Sequence, residues 1–464
     1  MARQECLRLL SPADFELREG EQLAIVGPNA SGKSLLADML TGKSPLKSGS
    51  LSYGPGVSLR YISFRDSYGT ADANYYYQQR WNMGDQEELP TVRESLGFCA
   101  DEPLRRELLE LFGFESQLDK PVMYLSSGEM RRFQLIRTLQ ARPRVLMMDN
   151  PYIGLDADTR RSLTELLERL VRERRLSLIL VVSRNRDIPD LVTHVYPMNG
   201  RVLGTRLSRK DWLSLPEPED GKLPDEMAES LRRRPFSPLF SPGDEIIGMD
   251  GVNLVYGSRT ILKDLVWQVR CGEKWSLAGR NGAGKSALLS LVCADNPQGY
   301  ACRFRMFGRR RGSGESIWEI KKHIGYVSPE MHRAYMKDCP AVDIVASGLH
   351  DSIGLYVRPQ PGQREICLYW MGLFGITGLA DRPFLQLSSG EQRLCLLARA
   401  FVKDPSLLIL DEPLHGLDAF YRQRVRSVVQ TFAQRPGKTL VMATHYPEEL
   451  PECIGPELFL QRRQ

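Results

Sequence analysis

No stretch of this 464-residue sequence is long and apolar enough to cross a bilayer, which takes about 20 residues. Its longest apolar runs are strand-length, such as LSLILVV at 176–182. The N-terminal MARQECLRLLSPADF also lacks the continuous apolar core of a secretory signal. A cytoplasmic protein is therefore expected, and any place on the inner face of a membrane would depend on a partner. Histidine is scarce, at six residues, and the nine cysteines are scattered without CxxC or Cys/His ligand spacing. This argues against a zinc centre or a disulfide framework and for reduced thiols. A strong excess of one charge is missing too: 62 basic residues against 57 acidic leave a net charge of +5. That is little attraction for nucleic acid or an acidic membrane surface. What remains is ordinary globular composition, 42% hydrophobic and 26% charged, in a chain long enough for two or three cores.

The chain repeats itself. GPNASGKS at 27–34, LSSGE at 125–129 and VLMMDNP at 145–151 recur in the same order as GRNGAGKS at 279–286, LSSGEQR at 387–393 and LLILDEP at 407–413. In both copies an apolar run passes through the glycine loop into helical periodicity at the lysine, a strand–loop–helix unit. Later runs such as SLLILD and TLVMATH are nearly continuous in apolar residues, as strands of a parallel sheet covered on both faces are. An α/β fold follows, with polar residues at the carboxyl ends of the strands, where open sheets bind ligands. Helix-forming charged stretches at about 65–125 and 330–387 read as helical subdomains inserted into each copy. The proline- and charge-rich stretch at 205–245 reads as a linker between copies at 1–204 and 246–464.

The glycine loops are phosphate cradles. In GxxxxGK[ST] the glycines let backbone N–H groups approach phosphate, the lysine neutralises the terminal phosphates and the hydroxyl helps to hold magnesium. The expected ATP-binding residues are Gly27, Pro28, Asn29, Ala30, Ser31, Gly32, Lys33 and Ser34 in the first copy, and Gly279, Arg280, Asn281, Gly282, Ala283, Gly284, Lys285 and Ser286 in the second. Asp149 and Asp411 end their apolar runs beside these loops, so the expected magnesium residues are Ser34, Asp149, Ser286 and Asp411. Glu412, next to Asp411, can orient or deprotonate a water, which is worth typically 10² to 10⁴ in rate. The first copy has Asn150 there, and Asn150 cannot take a proton.

A glycine loop, then LSSGE, then an acidic strand end, then Leu155-Asp156 or Leu417-Asp418 resembles the ATP-binding cassette (ABC) ATPases, and the resemblance covers nearly the whole chain twice. It implies two P-loop nucleotide-binding domains, each a mainly parallel sheet with a helical insertion, that close head to tail on two ATP molecules with Mg²⁺. The signature residues Ser127, Gly128 and Glu129 would then serve the second copy's loop, and Ser389, Gly390 and Glu391 the first copy's. His445 matches the family's switch histidine, so Glu412, His445 and Lys285 are the expected catalytic set. In the first copy Arg184 replaces that histidine. Tyr256 matches the aromatic that stacks on adenine, whereas the equivalent count in the first copy reaches Gln4. The glutamine expected after the IGYV strand is Pro329, and Phe64 in the first copy, which puts ordinary coupling to a membrane partner in doubt.

Stretches such as NPQGY, FGRRRGSGES, IWEIKKHIGYVS and HDSIGLY in the second copy resemble the ModF proteins, whose name implies molybdenum transport. No set of residues here looks like a molybdate ligand. Three functions stay open. One is an ATP-binding component that docks on transmembrane permease subunits through its helical insertions. Another is a soluble mechanoenzyme of the ribosome or nucleic acid, disfavoured by a linker lacking a long charged helix. The third is an ATP-gated regulator. The basic loop at 307–316 and the aromatic run NYYYQQRWN at 74–82 are either packed surface or partner contacts.

Overall fold

The computed structural model describes residues 9–63, 90–99, 101–122, 125, 127–152, 155, 157–174, 176–216, 221–236, 238–256, 259–279, 283–352, 360 and 362–461. The chain divides into two compact units, Met1–Pro218 and Glu219–Gln464.

The first unit runs β1 (Leu23–Val26), α1 (Lys33–Leu40), β2 (Leu59–Ser63), α2 (Glu102–Leu111), α3 (Ser127–Leu139), β3 (Val145–Asp149), α4 (Ala157–Arg174), β4 (Ser177–Val182), β5 (His194–Asn199), β6 (Val202–Leu203), β7 (Leu207–Ser208) and α5 (Arg209–Leu213). Its sheet has the order β2-β3-β4-β1-β5-β6, with β7 also on β5. The strands β1 to β5 are parallel, and β6 and β7 add antiparallel to β5. All residues of β1 and β3 are buried, as their unbroken apolar runs require. The register sets Asp149 opposite Ser63 and Val181, and Val26 opposite Val182. The carboxyl ends of β1, β3 and β4 therefore finish together, next to the glycine loop. In the helical insertion, α2 begins where the Asp101 side chain accepts from the Leu104 N–H, and its buried stripe is Leu104, Leu108 and Leu109. The aromatic run at 74–82 lies outside the described residues.

The second unit runs α6 (Asp225–Arg233), β8 (Glu245–Tyr256), β9 (Arg259–Arg270), β10 (Lys274–Gly279), α7 (Lys285–Val292), β11 (Phe304–Met306), β12 (Arg309–Arg310), β13 (Ile324–Val327), α8 (Pro329–Ala334), α9 (Ala341–Ala346), α10 (Gln363–Leu373), α11 (Ser389–Phe401), β14 (Leu407–Asp411), α12 (Ala419–Ala433), β15 (Thr439–Ala443) and β16 (Glu457–Leu460). The parallel sheet has the order β13-β14-β15-β10-β16. Beyond the expected parallel sheet there is a separate antiparallel one, β12-β11-β8-β9. Period-two alternation explains it: Ile247, Met249, Trp267, Val269, Phe304 and Met306 are buried. Arg305 and Arg310 face each other across β11 and β12, and Arg305 pairs with Glu245 at 2.7 Å. The basic loop that follows is partly consumed by its own fold. Arg311 is buried, pairs with Glu315 at 2.6 Å and covers the Tyr300 ring, leaving Arg309 and Arg310 exposed.

Much of the 205–245 stretch is built into the two units. β7 pairs with β5, and the Trp212 indole in α5 donates to Asn185 Oδ1 at 2.9 Å. On the second unit's side, Leu223 and the α6 residues Ala228 and Leu231 join the cluster of Trp370, Phe401 and Phe432. Arg435 donates to the Arg234 carbonyl at 3.0 Å, and the Lys438 ammonium lies 3.1 Å from the Phe236 ring centroid. Composition hid this because only one narrow face of α6 is apolar. Its other positions, Met227 and Ser230 apart, are the charges that read as linker. Among the described residues no helix is long and apolar enough to cross a membrane.

Candidate nucleotide-binding sites

Each glycine loop leaves an inner strand of its sheet, β1 or β10, and opens a helix. Gly27 has no room for a side chain, since a Cβ there would stand 1.8 Å from the Met198 carbonyl oxygen. Gly32 and Gly284, at φ 96 and φ 97, make the left-handed entry to α1 and α7 that glycine adopts without strain. Ala30 holds a left-handed conformation, φ 60. The Lys33 ammonium is buried and donates to the carbonyls of Gly27 at 2.6 Å and Pro28 at 2.7 Å. Lys285 donates likewise to the Gly279 carbonyl. Backbone carbonyls thus hold each cation at the mouth of its loop. Arg280, Asn281 and Gly282 lie outside the described residues.

The carboxylates arrive as the strand registers demand. Ser34 donates to Asp149 Oδ2 at 3.1 Å, and Ser286 to Asp411 Oδ2 at 3.3 Å. A hydroxyl and a carboxylate oxygen side by side are hard donors and fit a magnesium ion. Two further groups converge on Asp149: Tyr61 donates to Oδ2 at 3.0 Å and Asn150 donates to Oδ1 at 2.7 Å.

The positions after these aspartates share a backbone and differ in chemistry. Asn150 and Glu412 are both left-handed, φ 53 and φ 49, and each N–H donates to the next strand, to Val181 at 2.8 Å and to Ala443 at 2.9 Å. Burial, followed by the charge of Asp411, pushes the Glu412 carboxyl up to about 8. Its Oε1 has no hydrogen-bond partner among the described residues and lies 3.6 Å from His445 Nε2. A buried carboxyl with a raised affinity for protons, next to an imidazole, has the properties of a general base. The strand registers correct the expectation for Arg184: Asp149 stands opposite Val181 as Asp411 stands opposite Ala443, so Ser183 holds the position of His445 and donates to Asn29 Oδ1 at 3.4 Å. Arg184, one residue further, donates twice to Asp187, at 2.6 and 3.1 Å, and Arg160 joins the same carboxylate at 2.7 Å.

The signature residues open helices. Ser127 and Gly128 begin α3, and Ser389 and Gly390 begin α11, with Ser389 exposed. Glu391 closes a capping box with Ser388, and Glu129 pairs with Lys120 at 2.9 Å, so both glutamates hold the helix start rather than standing free. Tyr256 ends β8 opposite Arg259. Pro329, in place of a glutamine, begins α8, which Ser328 caps by accepting from the Met331 N–H at 3.1 Å.

Three features escaped the reading of the sequence. Arg393, buried in α11, donates to the carbonyls of Ser328 at 2.9 Å, Asp411 at 2.9 Å and Glu412 at 2.6 Å, tying the signature helix to the strand end that carries Glu412. The ion pair Arg160–Asp187 recurs as Arg422–Glu449. Tyr61 is the third. The first two were detectable, because Arg131/Arg393, Arg160/Arg422 and Asp187/Glu449 are each 262 positions apart, as Ser127/Ser389 are.

Comparison with known proteins agrees with this arrangement. The sequence matches the ABC transporter family over residues 10–153 and 262–415. It is 37% identical to the ABC transporter ATP-binding protein ModF of Escherichia coli, over 96% of this chain and 92% of that protein. An uncharacterized ABC transporter ATP-binding protein of Schizosaccharomyces pombe is 28% identical over 96% of this chain and 93% of its own length. Among solved structures, the fold is similar to that in a model of ribosome-bound archaeal Pelota and ABCE1, with a TM-score of 0.59 at 19% identity, covering 93% of this chain and 70% of that one.

Proposed function

We propose that this chain, which belongs to the ABC transporter ATP-binding family and is of the ModF type, works its two cassettes unequally, hydrolysing ATP at the second and holding it at the first. The chain is a tandem ABC ATPase and an ATP hydrolase. The observation that carries the unequal reading is the pair of neighbours to the strand-end aspartates. Glu412 is a buried carboxyl beside His445, and Asn150 is an amide already bonded to Asp149.

In this reading the ammonium groups of Lys33 and Lys285 leave their loop carbonyls for the nucleotide phosphates. Glu412 takes the proton of the attacking water while His445 fixes the carboxylate. Ser34 with Asp149, and Ser286 with Asp411, would hold Mg²⁺, which supplies positive charge against the phosphates. Each signature serine serves the other cassette, so Ser389, Gly390 and Glu391 belong to the holding site, and Ser127, Gly128 and Glu129 to the hydrolytic one. Tyr256 stacks on adenine at the hydrolytic site. Bound ATP at the first site prolongs closure between turnovers.

The likeness to ModF supports a role as the ATP-binding component of a molybdate-type transport system, docked on permease subunits through the helical insertions. Pro329 favours the alternative of an ATP-gated regulator or mechanoenzyme without a permease, because α8 stands where a glutamine would couple the insertion to nucleotide. The test is Glu412→Gln: it should lower turnover by about 10² or more while two ATP stay bound per chain. Undiminished hydrolysis would refute the assignment. Capture of permease subunits, of ribosomes, or of neither by the ATP-loaded variant separates the partner readings.

A further inference from the structure

Tyr61 enters none of the roles above, yet its hydroxyl reaches the carboxylate that the first site uses for its metal. It lies on β2 opposite Met147, two residues before the position opposite Asp149, so strand alternation puts its ring on the same face as that aspartate. Its hydroxyl donates to Asp149 Oδ2 at 3.0 Å, the oxygen that also accepts from Ser34 at 3.1 Å. The ring is held in turn, with the Lys43 ammonium 4.5 Å from its centroid. With Asn150 on Oδ1 at 2.7 Å, the Asp149 carboxylate is fixed by three neutral donors, from α1, from β2 and from the residue after β3. The sequence repeats the tyrosine: Tyr326 stands opposite Ile409, two residues before Asp411, as Tyr61 stands opposite Met147, two before Asp149.

We infer that Tyr61 is a positioning residue of the first site, whose hydroxyl orients Asp149 for the magnesium that accompanies the held nucleotide. The inference rests on the proposal that the first site retains nucleotide. Hydrogen bonds of this kind to a metal-site carboxylate set the ligand's direction and charge, and their loss typically weakens metal affinity by about 10- to 100-fold. Phenylalanine keeps the ring and its contact with Lys43 and removes only the hydroxyl.

The experiment uses the full chain with Lys285→Ala, so that binding of a fluorescent ATP analogue reports the first site, titrated with magnesium with and without Tyr61→Phe. The magnesium concentration for half-maximal binding should rise at least about 10-fold, with an unchanged melting temperature in the absence of nucleotide. An unchanged magnesium midpoint would overturn the inference. A large fall in the nucleotide-free melting temperature would overturn it as well, because that is the mark of a purely structural tyrosine. If the Lys285→Ala parent binds no analogue at any magnesium concentration, the holding-site proposal itself fails, an outcome distinct from either of these.

Discussion

The side-chain amide of Asn150 donates to Asp149 Oδ1 at 2.7 Å, whereas in the second unit burial, and after it the charge of Asp411, raises the proton affinity of the neighbouring Glu412. The backbone is the same at both positions, left-handed at φ 53 and φ 49, so the two units differ here by side-chain chemistry alone. Asparagine is at home in that region, and a glutamate there is strained by roughly 1–2 kcal/mol. That the strained residue is the candidate base fits the habit of functional sites to hold unfavourable backbone.

The Glu412 carboxyl, pushed up to about 8, holds its proton through most of the neutral range and cannot accept one from water. Steady-state kcat/KM for ATP should therefore rise with pH and level off above about 8, and this limb should be missing in Glu412→Gln. The same shift has a stability consequence. A folded-state value above the usual 4.5 favours the native state at low pH, and that contribution is lost as pH rises through about 8. Glu412→Gln should accordingly melt higher than the wild type at pH 9, measured by calorimetry.

Asn150→Glu puts at the first site the residue type that the second holds in the same left-handed backbone, takes the donor from Asp149 and sets a second carboxylate beside it. Ser183, at the register position of His445, offers no imidazole to orient the new carboxylate. Turnover should stay within about twofold of the parent, since the general-base gain of 10² or more needs an oriented base, while retention of ATP at the first site should fall. Single-turnover assays with labelled ATP in a Lys285→Ala chain measure both.

Ser127→Ala tests whether a signature acts on the other cassette. Loss of one donor aimed at developing charge typically costs about 10²–10³ in kcat, so hydrolysis should collapse although Glu412, His445 and Lys285 are intact. A full rate would count against head-to-tail closure.

Leu231→Ala probes a residue of the presumed linker that is wholly buried in the second unit's core. Truncation of a buried leucine costs about 2–5 kcal/mol. Denaturant unfolding of the second unit should shift by that amount. An effect near zero would mean that α6 is only tethered there.

The glycine loops, the strand-end aspartates and the two LSSGE helices were all legible along the chain, because each depends on short-range pattern: a turn only glycine can make, an unbroken apolar run, a helix start. The internal repeat made even the Glu412/Asn150 difference visible. Local pattern could not say that Arg184 is drawn to Asp187, that Arg393 spans three carbonyls from two strand ends, or that Tyr61 reaches Asp149. Those contacts join residues from separate strands and helices, and strand order and register decide them. The same holds for α6, whose few apolar side chains became core only because α10, α11 and α12 present a surface to receive them.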